Sequence, residues 1–123
     1  MQASGVSRPR QADVAALAAV LHVVFGSWGL DAREAAGALG GVALATLFRW
    51  RDDPGVADID PVLRQRLSRL LALHKALRIA FPAPAERRAW LREPDAAGVT
   101  PAERLARGCR GEPDALRARL PDP

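Results

Sequence analysis

Asp60-Pro61 at one end and Pro82 with Pro84 at the other bracket a stretch that the chain can satisfy in only one way. Between them Leu63, Leu67, Leu70, His74, Leu77 and Phe81 recur at steps of four and three, the spacing of one helical face. An aspartate before a proline supplies the cap and first-turn residue in the right order, and a later proline cannot continue the helix. The seam predicts a helix of about six turns, roughly 30 Å long at ~1.5 Å per residue. A chain of 123 residues built on such a rod forms one compact domain, or two small helical subdomains sharing a core.

The remaining segments also read as helices, so the fold class expected is all-α. Tyr is absent and Phe occurs three times, against abundant Ala, Leu and Arg, which are strong helix formers. Residues 1–9 are polar and expected to be loose. From Arg10 to Phe25 apolar residues fall at 14, 17, 21, 24 and 25, with Ala15, Ala16, Ala19, Val20 and Val23 covering other faces. A helix apolar nearly all round calls for burial on several sides, which makes a homodimer contact an expectation. Gly26-Ser27-Trp28-Gly29 interrupts it. Asp31 with Glu34 has the spacing of a capping box for a second helix, which Gly40-Gly41 ends. Val42 to Trp50 reads as a third helix, and Arg51-Asp52-Asp53-Pro54-Gly55 as a turn. Short helices are predicted over 85–92, 101–107 and 113–119. Thr100-Pro101-Ala102-Glu103 supplies cap, proline and capping-box Glu together.

The net charge of +4 conceals an asymmetry. Residues 1–60 hold five Arg and seven acids, whereas residues 61–123 hold thirteen Arg and Lys against seven acids. The basic half suits an acidic partner or nucleic acid through long-range attraction, or is a solvated arginine-rich surface. Cys109 is the single cysteine, so neither an internal disulfide nor a multi-cysteine metal site can form. The apolar run from Val14 to Phe25 is too short to span a bilayer. No charged segment precedes a small-residue cleavage site, so the expected location is cytoplasmic, without membrane contact.

Catalysis is not expected. His74 sits in the apolar seam and reads as a hydrogen-bonded core or interface residue, and His22 stands alone. Asp52 and Asp53 are adjacent and diverge. Ser27 lacks a nucleophile-elbow motif, and no histidine lies near Cys109 to activate it. Gly37, Gly40 and Gly41 follow no strand and precede no Lys-Ser/Thr pair, so no phosphate loop and no cofactor are expected.

In the front half, Ala35-Ala36, Leu39-Gly40-Gly41-Val42 and Thr46-Leu47-Phe48-Arg49-Trp50-Arg51 resemble a helix-turn-helix of the Xre type. In such a motif the second helix lies in the major groove, which makes Thr46, Arg49 and Arg51 the DNA contacts, with Leu47 and Trp50 as anchors. The start of that helix, Val42-Ala43-Leu44-Ala45, carries no polar residue, and an acidic half opposes binding to a polyanion. A DNA reader, a dimer scaffold and a plain helical hairpin therefore remain open.

In the back half, an ordered series runs from Phe81 through Ala89-Trp90-Leu91, Pro94-Asp95 and Pro101-Ala102-Glu103-Arg104-Leu105 to Gly108. It resembles the C-terminal domain of the Xre/MbcA/ParS antitoxins over roughly residues 63–120, with Pro94-Asp95 where that family commonly has Pro-Asn. The resemblance implies an Xre-like domain over 1–60 and a toxin-binding domain over 61–123, in which Trp90 with Leu91 plugs the gap between the long helix and the short ones. It also implies an antitoxin that covers the NAD pocket of a RES-type toxin and represses its own operon by binding operator DNA. Trp90, Arg92, Arg104, Arg107, Arg110, Arg117 and Arg119 are then the residues expected to meet the toxin. A stand-alone helix-turn-helix transcriptional regulator is the alternative.

Overall fold

The computed structural model describes residues 3–121, with side chains from Arg10 onward. Among the described residues every regular element is helical. Helix α1 (Ala3–His22) runs into a π-helical turn, Val23–Ser27. Then come α2 (Ala32–Ala38), α3 (Leu44–Asp52), a 3-10 turn at Pro54–Val56, and the long α4 (Pro61–Ala80). Three short helices finish the chain: α5 (Pro84–Leu91), α6 (Pro101–Ala106) and α7 (Glu112–Ala118).

Local chemistry sets most of the boundaries. Asp31 accepts from the Glu34 amide at 2.8 Å while Glu34 accepts from the Asp31 amide at 3.0 Å, a complete capping box. Asp60 accepts from the Leu63 amide at 2.8 Å and Pro61 opens α4. Thr100 caps α6 through the Glu103 amide at 3.0 Å, and Glu103 answers by accepting from the Thr100 hydroxyl rather than from its backbone. Elsewhere the boundaries move. Helix α1 begins at Ala3, inside the segment expected to be loose, and its last turn widens because Trp28 donates its amide to the Val23 carbonyl. The turn expected at 51–55 is divided, since α3 continues to Asp52 and Asp53 caps the following 3-10 turn through the Gly55 amide.

Helix α4 is the spine, with α1 on one side and α7 on another. Being covered on two sides, it buries a wider stripe than a single seam: Leu67, Leu70 and Leu77 as the spacing predicts, with Arg66 and Leu73 besides. Leu63, His74 and Phe81 are half-buried. One apolar cluster runs from Leu17 through Trp28, Leu47 and Leu70 to Leu91, Leu105 and Leu116, crossing the 60/61 position without interruption.

The closest backbone approach is between α2 and α6. A Cβ added to Gly37 would sit 1.9 Å from the Ala106 carbonyl oxygen. Gly108, at φ +74°, turns the chain away over the carbonyl of Gly37. At Gly37 the absence of a side chain is what admits α6.

Candidate functional site: two faces of a helical scaffold

Helices α2 and α3 pack against one another across a glycine turn. Gly40 and Gly41, at φ +101° and +86°, make the turn, and Leu47 and Trp50 anchor α3 in the core. The outward side of α3 mixes apolar and charged residues: Leu44, its first residue, and Phe48 are 41% and 45% exposed, and Arg49, Arg51 and Asp52 are exposed with them. Of the three expected DNA contacts, Thr46 is half-buried, and Arg51 lies over the Phe25 ring at 3.9 Å from its centroid. Arg49 is exposed and makes no side-chain hydrogen bond or ion pair among the described residues.

The back half separates the seven expected toxin contacts into two groups. Arg92 is engaged inside the molecule: its guanidinium grips Glu34 at 2.5 and 2.8 Å, tying the end of α5 to the capping box of α2. Hydrogen bonding to Arg92 lowers the pKa of Glu34. Arg104 is likewise engaged, donating through Nε and Nη2 to one oxygen of Asp95, with Glu112 3.8 Å away. Trp90 is half-buried, its ring tilted against Phe81 at 6.3 Å; Leu91 is the residue of that pair that fills the core. Arg107, Arg110 and Arg117 are exposed, and their side chains make no hydrogen bond or ion pair among the described residues. Arg119 is exposed and 4.0 Å from Asp95.

Asp95 holds this region in shape. Its second carboxylate oxygen accepts from the amides of Ala97 and Val99 at 2.9 and 3.1 Å, closing the 95–99 loop, while the first holds Arg104. Arg104 first, then the Val99 amide, hold the Asp95 carboxyl down at about 2. A lowered carboxyl stabilises the fold above its unfolded pKa of ~3.9, and that stabilisation is lost as pH falls through the folded value. Asp95→Asn should therefore flatten the acid limb of a melting-temperature profile between about pH 4 and pH 2. An identical profile would show that Asp95 and Arg104 are not paired in solution.

Two arginines escaped the sequence reading. Arg66, only 7% exposed, donates from Nε to the Ala38 carbonyl at 2.7 Å and from Nη1 to the Cys109 carbonyl at 2.6 Å. It bolts the end of α2 to the 108–110 loop through α4. Arg87, 9% exposed, donates from Nη1 to the carbonyls of Phe81 and Pro82 at 2.8 and 2.9 Å, satisfying the chain where α4 ends. Both look like surface residues in sequence, because only the tertiary fold covers them.

Beside Arg66 a cleft of about 340 Å³ opens between the α2–α3 turn and the start of α4. Val42, Trp50 and Leu63 form apolar walls, with Arg69 and Arg110 at the rim. His74 is half-buried and accepts the Trp28 indole N–H on Nδ1 at 3.2 Å. Burial first, then the charges of Arg87 and Arg78, hold its pKa below the usual imidazole value. Among the described residues no three metal-type donors come together, and no helix is long and apolar enough to cross a membrane.

No family model matches the chain and no solved structure matches it. It is similar to the uncharacterized protein y4oB of Sinorhizobium fredii, 35% identical over 68 residues, which is 55% of this chain and 51% of that protein. The chain thus spans about half the length of the curated relative it matches.

Proposed function

We propose that the protein is an antitoxin that binds a RES-type toxin through its C-terminal quarter and shields the toxin's NAD pocket. The observation that carries the reading is the group Arg107, Arg110 and Arg117: three exposed cations whose side chains make no hydrogen bond or ion pair among the described residues. A pocket that handles a pyrophosphate is bordered by catalytic carboxylates, and unpaired guanidiniums are suited to engage them. Arg92 and Arg104 serve as supports, since each is already committed to a carboxylate within the chain.

Operator binding is the second reading, and Arg49 is what favours it. The exposed apolar residues of the α3 face, Leu44 and Phe48, suit contact with protein, a second copy of the chain included, better than contact with phosphates.

The test is to co-express the chain, alone carrying a tag, with the adjacent reading frame. The neighbour should co-purify and should arrest growth when expressed without this chain. Changing Arg107, Arg110 and Arg117 together to Gln should abolish the complex and leave the melting temperature unchanged. A non-toxic neighbour that fails to co-purify would overturn the antitoxin reading. Promoter fragments that shift with the wild-type protein but not with Arg49→Ala would then establish the regulator.

A further inference from the structure

The end of α4 and the middle of α5 enclose a second cleft, of about 540 Å³, lined by Lys75, Arg78, Ile79, Pro82 and Arg87. Three of these five residues are cations and none is an acid. Lys75 and Arg78 are three apart on α4, so both stand on one side of the helix, and neither makes a side-chain hydrogen bond or ion pair among the described residues. Arg87 reaches the cleft from below. Its Nη1 is spent on the carbonyls of Phe81 and Pro82. Its Nε is buried with no partner, and its Nη2 donates to nothing among the described residues. The buried Nε is closed to a ligand, so Nη2 is the nitrogen left to donate to a carboxylate, as a charge-assisted hydrogen bond.

The cleft also has an apolar wall. Ile79 is 53% exposed, a large aliphatic side chain left to water beside Pro82. A free phosphate or a nucleic-acid backbone would satisfy the cations and leave this wall uncovered. A peptide carrying an acid next to an aliphatic residue would satisfy both.

We propose that this cleft is a docking site for an acidic segment of a partner protein, a carboxylate seated among Lys75, Arg78 and Arg87 and a neighbouring aliphatic side chain on Ile79 and Pro82. The site does not depend on the antitoxin reading, because none of its residues belongs to the group assigned to the toxin.

The full-length protein can be titrated with the peptide acetyl-Glu-Leu-Asp-Leu-Glu-amide while backbone amide shifts are followed by NMR. Its neutral counterpart acetyl-Gln-Leu-Asn-Leu-Gln-amide, a hexathymidine oligonucleotide and inorganic phosphate serve as competing probes. The acidic peptide should perturb residues 75–87. Lys75→Gln with Arg78→Gln should weaken it about fivefold, the loss expected for two exposed ion pairs. Ile79→Ser should weaken it several-fold, and Arg117→Gln with Arg119→Gln should leave it unchanged. His74 gives a second readout: a carboxylate beside Arg78 and Arg87 offsets two of the charges that depress its pKa, so its titration midpoint should rise on saturation. Equal binding of the neutral peptide, undiminished binding by the Lys75/Arg78 variant, or no binding of the acidic peptide would overturn the proposal. Tighter binding of the oligonucleotide or of phosphate at the same residues would overturn it in favour of a phosphate site. Lys75, Arg78, Ile79 and Arg117 are exposed and make no side-chain hydrogen bond or ion pair among the described residues. Arg119 meets only the Asp95 carboxylate that Arg104 already holds. The variants should therefore melt close to the parent, and any loss of binding is local.

Discussion

Gly37→Ala should destabilise the protein by about 3 kcal/mol or more, the upper end of what overpacking costs. Alanine is intrinsically the better helix residue by about 1 kcal/mol, so propensity alone predicts the opposite sign. The contact decides. The added carbon would lie 1.9 Å from the Ala106 oxygen and 2.5 Å from its carbonyl carbon, and these are backbone atoms that no rotamer change can move. Relief requires α6 to withdraw from α2, which also strains the Arg66 hydrogen bonds to Ala38 and Cys109 on either side of that contact. Gly26→Ala is the control, because a Cβ there meets only the His22 ring at 3.8 Å. Denaturant unfolding would read both: a large fall in midpoint at unchanged slope for Gly37→Ala, and little change for Gly26→Ala. A Gly37→Ala protein as stable as its parent would mean that α2 and α6 do not touch.

Trp28→Ala should be comparably damaging, about 3–5 kcal/mol, the usual cost of emptying a large core site. Trp28 is 1% exposed, and its N–H is matched to His74. Trp90→Ala should cost well under half as much, since that ring keeps one side in water and touches the core mainly through Phe81. The resemblance implies Trp90 with Leu91 as the plug of the back half; of the two, Leu91 is fully buried and Trp90 only half-buried. Thermal melts of the two variants side by side would settle the order, and a larger loss at Trp90 would contradict the packing described.

Which features could be read from sequence follows from their range along the chain. The caps at Asp31, Asp60 and Thr100 are interactions between residues three apart, and each forms where the spacing places it. The anchors Leu47 and Trp50 follow from helical periodicity within α3. Trp28 and Trp90 both sit at the ends of helical segments with glycine or proline nearby, and nothing local tells them apart. Trp28 is buried because His74 and the core, dozens of residues on, close over it. The candidate site divides in the same way. That Arg92 and Arg104 are supports depends on Glu34 and Asp95 arriving beside them, and Glu34 lies 58 residues away. The cleft around Arg87 depends on the chain reversing at Phe81 and Pro82, which sets α5 against the end of α4.

The contact between Gly37 and Ala106 also sets a clock. Sixty-nine residues separate the two positions in the chain. At the ~5–20 residues per second of protein synthesis, α2 waits about 3–14 s on the ribosome before α6 is made. During that interval Ala35, Ala38 and Leu39, all buried in the finished fold, lack the side of their packing that α6 supplies. The core around α2 is therefore completed only once translation has passed Gly108.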